Sequence, residues 1–336
     1  MNHDMQPQTR SKKPVLSIKE LSVDFKTERG LLQALRRISI DIPSQQIVGL
    51  VGESGCGKST VINSILKLLP NNALIKNGRI ELQGEDVLTM SQAQLRATRG
   101  KRVSVIFQDP MTSLNPALSI GRQMTNIQYR DQLSKSEKRQ RAADMLTRVG
   151  IPDAEKRLRS YPHQFSGGML QRIAIAMALL MQPALLIADE PTTALDATLQ
   201  IQIIELLKTL QKEFRCSVLF VSHHLGLVAD FCDQVVVMYA GEIVESGSVR
   251  DIFHRGSHPY TKRLLECDPA RIKTKTRVLP TIPGSIPDLV NLSDSCIFND
   301  RCLIKQNNCP QTVAPLMELT TGHFVRCYLN QEGESE

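Results

Sequence analysis

Eight residues, Gly52-Glu53-Ser54-Gly55-Cys56-Gly57-Lys58-Ser59, stand between a short continuous apolar run, Ile47–Val51, and a helix-compatible stretch, Ser59–Leu69. The order of Gly, four residues, Gly, Lys and Ser is the phosphate-loop pattern, and the strand-like and helical flanks are the context that pattern requires. Its glycines let backbone N–H groups converge on phosphate oxygens at a helix N-terminus, Lys58 adds a cation, and the Ser59 hydroxyl can face Mg²⁺. The stretch therefore offers Gly52, Ser54, Gly55, Cys56, Gly57, Lys58, Ser59 and Thr60 as phosphate and metal contacts. A five-residue run without a polar residue suits a strand buried on both faces, which commits the chain to a parallel sheet covered by helices.

The remaining pattern agrees with such a sheet. Val15–Phe25 and Leu31–Ile42 read as strands of an antiparallel portion, the second ending at Pro43. From Met124 to Arg159 the chain is charged and has helical periodicity, which predicts a helical insertion, set at about 109–170. Strand-like runs return at Ala184–Ala188, Val218–Val221 and Val235–Tyr239, with a helical Leu199–Glu213 between the first two, a right-handed βαβ pattern. Beyond Pro259 the composition shifts: 268–290 is rich in Pro, Lys and Arg, and 291–336 holds four of the eight cysteines in loop-like surroundings. At 336 residues the expectation is a flexible tail over 1–14, one large α/β domain over 15–260 and a small extension over 261–336.

Composition narrows the setting. A formal charge of +7 without a run of five or six basic residues reads as a plain basic surface, and no nucleic acid is expected. Basic residues thicken at Arg96–Arg102, Lys135–Arg159 and Arg271–Arg277, which suits a nucleotide phosphate or a membrane-proximal setting. The N-terminus lacks the apolar region of a signal peptide, so a cytoplasmic location is expected. The longest apolar stretch, Ile173–Ala188, is too short to span a bilayer and contains Gln182 and Pro183, so membrane contact is expected to be peripheral. In that compartment eight cysteines do not make a disulfide framework.

A second apolar run, Ala184-Leu-Leu-Ile-Ala-Asp189-Glu190, delivers two carboxylates at its carboxyl end, where open α/β sheets bind ligands. Asp189 would hold Mg²⁺ and Glu190 would polarise an attacking water. Phe165-Ser166-Gly167-Gly168-Met169-Leu170-Gln171-Arg172 then resembles the signature motif of ATP-binding-cassette (ABC) ATPases, with Phe for Leu and Met for Gln, a variation similar to that of the oligopeptide, dipeptide and nickel permease ATPases. Other elements follow the same family. Gln108 resembles the Q-loop glutamine that touches Mg²⁺ or water, Ala194-Leu195-Asp196 the D-loop, and His223 the switch histidine that contacts the γ-phosphate. His224 stands where the family usually has Asp. Phe25 either stacks on adenine, as the family's A-loop aromatic does, or belongs to the core.

The resemblance continues into the C-terminal extension, through Ile282-Pro283-Gly284-Ser285-Ile286-Pro287 and the segments holding Cys296, Cys302, Cys309 and Cys327. Gaps of five, six and seventeen residues between these thiols match neither ordinary zinc pairs nor the common ferredoxin pattern, so spacing leaves iron–sulfur, zinc and no metal open. Resemblance to family members with a tail cluster implies [4Fe–4S].

For the whole chain, the resemblance implies an ABC nucleotide-binding domain that uses ATP and Mg²⁺. Catalysis would involve Glu190, His223 and Gln108, and Ser166, Gly167, Gly168 and Asp196 would touch nucleotide across a head-to-tail pair of ATPase domains. The implied partners are two polytopic membrane permease subunits, a second identical or homologous ATPase, and an extracytoplasmic solute-binding protein. The implied location is the cytoplasmic face of the inner membrane. The cargo favoured by the subfamily is a peptide, with nickel, a metal complex or an opine as alternatives. A soluble ABC ATPase acting on nucleic acid or ribosomes is a further alternative, without the coiled coil or fused cassettes that such proteins carry.

Overall fold

The structure is a computed structural model that describes residues 13–268, 271, 279–290, 292, 295–307, 309 and 312–330. Of the tail expected over 1–14, residues 1–12 lie outside these, as do 272–277 of the basic Arg271–Arg277 stretch.

Among the described residues twelve strands form two sheets. The strands are β1 (Leu16–Thr27), β2 (Gly30–Ile42), β3 (Ile47–Val51), β4 (Ala73–Leu82), β5 (Glu85–Asp86), β6 (Val103–Ile106), β7 (Leu185–Asp189), β8 (Ser217–Val221), β9 (Gln234–Tyr239), β10 (Glu242–Ser248), β11 (Met317–Thr320) and β12 (His323–Val325). A four-stranded antiparallel sheet has the order β2-β1-β4-β5, and the main sheet has the order β11-β12-β10-β9-β3-β8-β7-β6. The stretch from β9 through β3, β8 and β7 to β6 is parallel.

The parallel strands are short and apolar because both of their faces are covered. Leu186 and Ala188 of β7 and Val218 and Phe220 of β8 join one core with the helical insertion and the helix Ala197–Phe214. Leu185, Ile187, Leu219 and Val221 point the other way, into a core shared with the antiparallel sheet and the helix Lys58–Ile65. The period-2 alternation of side chains thus assigns each strand residue to one of two layers.

In the insertion the helices Ile120–Ile127, Lys135–Arg148 and Ala154–Arg157 precede the helix Gly167–Leu179. Ser134 starts the longest of these with a reciprocal cap: its hydroxyl accepts from Glu137 N–H (3.2 Å) and its own N–H donates to the Glu137 carboxylate (2.7 Å). Ile120, Met124, Leu146 and Val149 bury one face of the insertion against Leu170 and Ile173.

The C-terminal extension folds back onto the main sheet. Its β11–β12 hairpin continues the sheet through β10, and buried His323 bonds the Glu245 carboxylate at 2.8 Å. That carboxylate also accepts from Ser257 N–H (2.7 Å) and His258 N–H (2.9 Å), so a carboxylate wholly out of solvent is satisfied on both oxygens. No helix among the described residues is long and apolar enough to cross a membrane.

Candidate nucleotide site

Because β3, β8, β7 and β6 are adjacent and parallel, the loops after them emerge side by side at one edge of the sheet. The loop after β3 is the phosphate loop, β7 ends in Asp189-Glu190, His223 follows β8 by two residues, and Gln108 follows β6 by two. Four motifs spread over more than half the chain meet there by sheet order alone.

A cavity of about 300 Å³ lies at this edge, lined by Ser54, Gly55, Gly57, Lys58, Ser59, Thr60, Gln108, Asp189 and Glu190. Its loop requires glycine at two close approaches. A Cβ on Gly52 (φ +155°) would fall 2.1 Å from the Met238 carbonyl oxygen, and one on Gly57 (φ +107°) would fall within 3.0 Å of Leu35 and Ala34 atoms. Cys56 is buried beneath the loop, and burial pushes its thiol above the ordinary range. Lys58 is 8% exposed, and its ammonium donates to the carbonyls of Gly52 (2.7 Å) and Glu53 (3.1 Å).

Glu190 sits where the other groups converge. Its Oε2 accepts from Gln108 Nε2 (3.1 Å) and Thr193 Oγ1 (3.0 Å), while Oε1 lies 3.1 Å from His223 Nδ1. Its backbone is held in the left-handed region at φ +47°, and its N–H donates to Val221 O at 2.9 Å, which pins the end of β7 to the end of β8. Such a conformation costs a non-glycine residue about 1 kcal/mol or more and is kept here by the surrounding bonds. Burial, and then the charge of Glu190, raise the Asp189 carboxyl above its usual range, with Lys58 opposing. His224 packs on His223 with ring centroids 4.2 Å apart, and burial followed by the His223 charge holds it below the ordinary histidine value.

Comparisons with known proteins bear on the family. The ABC transporter family model matches residues 35–193, and the model of the oligopeptide/dipeptide transporter C-terminal region matches 244–309. The oligopeptide transport ATP-binding protein OppD of Bacillus subtilis is 43% identical over 317 residues, covering 94% of this chain and 88% of that protein. The probable D,D-dipeptide transport ATP-binding protein DdpD of Escherichia coli is 46% identical over 303 residues, covering 90% and 92%. This chain belongs to the ABC transporter ATPase family. A solved dimeric ATP-binding cassette, in a post-hydrolysis state with ADP and Pi, superposes with a TM-score of 0.62 at 27% identity over 70% of this chain and 99% of that one.

Other predicted site residues of this ABC ATPase lie outside the cavity. Ser166 caps the helix Gly167–Leu179 by accepting from Met169 N–H (3.4 Å), and a Cβ on Gly167 would meet nothing within 4 Å, so the start of that helix is open. Gly168 faces Leu199. Asp196 caps the helix Ala197–Phe214 by accepting from Leu199 N–H at 3.0 Å. None of Ser166, Gly167, Gly168 and Asp196 lines the phosphate cavity. Phe25, on β1, is partly buried against the core of the antiparallel sheet and does not line the cavity either.

The expected [4Fe–4S] cluster finds no support. Among the described residues no group of three or more His, Cys, Asp or Glu side chains is gathered to hold a metal ion, although Cys296, Cys302, Cys309 and Cys327 are near enough to influence one another. All four are free thiols. Cys296, Cys309 and Tyr328 pack with Ala314 in a small apolar cluster, and Cys309 Sγ accepts from Gln306 N–H at 3.4 Å. Burial pushes Cys296 up to about 12 and Cys327 up to about 11. Cys296 and Cys302 also pack, partly buried, against the main core.

Sequence reasoning missed Thr193, which holds Glu190 from three residues away, and it missed two residues that grip the phosphate loop, Tyr260 at the end of the expected ATPase domain and Arg301 in the extension. Nothing in spacing or periodicity joins Arg301 to Glu53 across 248 residues.

Proposed function

We infer that this chain hydrolyses ATP at the cavity after β3 and, as the nucleotide-binding subunit of an importer, powers uptake of a peptide. The observation that carries the reading is the carboxylate of Glu190, held by Gln108, Thr193 and His223 at the rim of a phosphate cavity. Lys58 and the loop N–H groups neutralise and orient the phosphates, drawing most of their effect from a site partly closed to water. Glu190 orients the attacking water in line with the γ-phosphorus and takes up its proton, the bond to the β-phosphate breaks, and ADP and phosphate are left. Gln108 and Thr193 fix one carboxylate oxygen, and His223 is within reach of the other. Bound there, Mg²⁺ would supply positive charge that offsets the charge of the phosphates. Ser59, Asp189 and Gln108 line the cavity and offer oxygen donors suited to it.

Two features support a paired ATPase. Ser166 and Gly167 form an open helix start that can bind phosphate, yet they do not line this chain's own cavity, so a second copy or a homologous ATPase would present them. The solved cassette with ADP and Pi is likewise a dimer. ATP between two such faces favours the closed pair, and hydrolysis releases it. Peptide as cargo is supported by the names of the relatives, an oligopeptide and a D,D-dipeptide transport protein.

A cavity of about 320 Å³, lined by Leu66, Leu68, Val105, Phe107, Leu114 and Met177 among others, suits an apolar helix end of a polytopic permease. Phe107 is half exposed at its edge, next to Gln108, so a permease seated there would sense the nucleotide site directly. The location that follows is peripheral, at the cytoplasmic face of the membrane, with a solute-binding protein joined through the complex. Phe107→Asp is expected to lower co-purification of permease subunits with the tagged chain about tenfold or more, because a carboxylate would be buried without a partner. Nucleotide binding by the isolated chain should be unchanged. Undiminished permease recovery would contradict this docking site.

A further inference from the structure

Glu53 is the second residue of the phosphate loop, and groups from the C-terminal part of the chain hold it at both of its ends. Its backbone N–H donates to Tyr260 Oη at 2.9 Å. Its carboxylate accepts a two-pronged pair from Arg301, Nη1 to Oε2 at 2.7 Å and Nη2 to Oε1 at 3.1 Å. The Glu53 carbonyl accepts from the Lys58 ammonium (3.1 Å) and from Cys56 N–H (3.2 Å). One residue thus links the C-terminal extension to the loop's cation.

Arg301 is itself fixed from every side. It is 6% exposed, its Nε donates to Pro283 O (2.8 Å), Nη2 to Ile282 O (3.1 Å) and Nη1 to Tyr239 Oη (3.3 Å), and its guanidinium lies 5.6 Å from the Tyr239 ring centre. The neighbouring Phe298 packs edge-on to Tyr239 and Tyr260. A guanidinium held in this way sets the direction of the carboxylate it grips, which a flexible point charge would not do. An ordinary clamp between two parts of a chain would end on a scaffold position, whereas this one ends on the loop that encloses the phosphate cavity.

We propose that the C-terminal extension is a working part of the nucleotide site: Arg301, acting through Glu53, is a positioning residue that sets the phosphate-loop backbone around Lys58. The proposal rests on the ATP reading above, and it assigns the extension a role in nucleotide affinity.

The test uses the full-length chain and MgADP, with binding measured by calorimetry for wild type, Arg301→Met, Arg301→Lys, Glu53→Gln and the Arg301→Met/Glu53→Gln pair. Each of Arg301→Met and Glu53→Gln is expected to weaken binding about tenfold, the scale of one charge-assisted interaction. The pair should be no weaker than the worse single change, because both break the same link. Arg301→Lys should recover binding only in part, since it keeps the charge and loses the fork. In ATP turnover the same variants should raise KM with kcat little changed, a split that simple loss of folded protein does not give. Glu53→Gln preserves size and the Tyr260 bond, so it decides the matter even if Arg301→Met fails to fold. Wild-type affinity in Glu53→Gln would overturn the proposal alone. A wild-type chain that binds no MgADP would overturn the ATP reading and the proposal with it.

Discussion

Glu190→Gln in this chain is expected to cut ATP turnover at its site in the assembled transporter about 10²-fold or more while leaving ATP affinity intact. The substitution preserves shape: the amide oxygen can still accept from Gln108 Nε2 and Thr193 Oγ1, and the new NH₂ can face His223 Nδ1, an acceptor in the Nε2–H tautomer. The charge is lost, and with it the capacity to take a proton from water. The left-handed backbone at φ +47° is tied by the Glu190 N–H to Val221 O, which the change does not touch. Phosphate release and nucleotide binding measured on the same sample separate the two effects. Turnover equal to wild type would remove Glu190 from the chemistry.

Lys58→Met is expected to act earlier, lowering MgATP affinity about 10²-fold, the order of one strong charge-assisted contact to phosphate in a site of restricted solvent. Methionine retains much of the buried aliphatic stem, so the helix Lys58–Ile65 keeps its packing and only the ammonium is lost. The carbonyls of Gly52 and Glu53, which the ammonium now holds, lose one donor, while the loop remains tied by Glu53 N–H to Tyr260 and by the Arg301 pair. Calorimetric titration with MgATP reads the change. Affinity within a factor of two of wild type would mean that the loop binds no phosphate.

The parts of this fold that were legible in the sequence are those whose surroundings impose one pattern. Ile47–Val51 is buried at every residue, so it could be read as a strand to the residue. Ala184–Ala188 and Val218–Val221 were legible for the same reason, within one residue of β7 and β8. β4 gave no such signal: Lys76, Asn77 and Gly78 lie in its middle, where the pairing with β1 shifts register and a Cβ on Gly78 would fall 2.5 Å from Leu21 Cα. A strand that bulges over its neighbour loses the alternation by which strands are recognised. β6 has four residues, too few for periodicity to register. The helix expected over Ser59–Leu69 stops at Ile65 because Lys67 turns to φ +51°.

At the site, motifs with fixed internal spacing were legible one by one, and sheet order explains why they meet. The Glu53–Arg301 link is different in kind. It depends on how a tail of low periodicity folds back over Tyr239 and Tyr260, and only coordinates reveal that path. The tail cysteines are the reverse case: four thiols suggest a metal, and among the described residues no group is gathered to hold one.

The most direct test of the central claim is ATP turnover by the complex that co-purifies with this chain from membranes, reconstituted in vesicles and measured with and without added peptide. The expected result is recovery of two polytopic permeases and turnover that rises several-fold with peptide, a rise abolished by Glu190→Gln in this chain. Recovery of nucleic acid or ribosomes instead, or turnover indifferent to peptide and to Glu190→Gln, would contradict it.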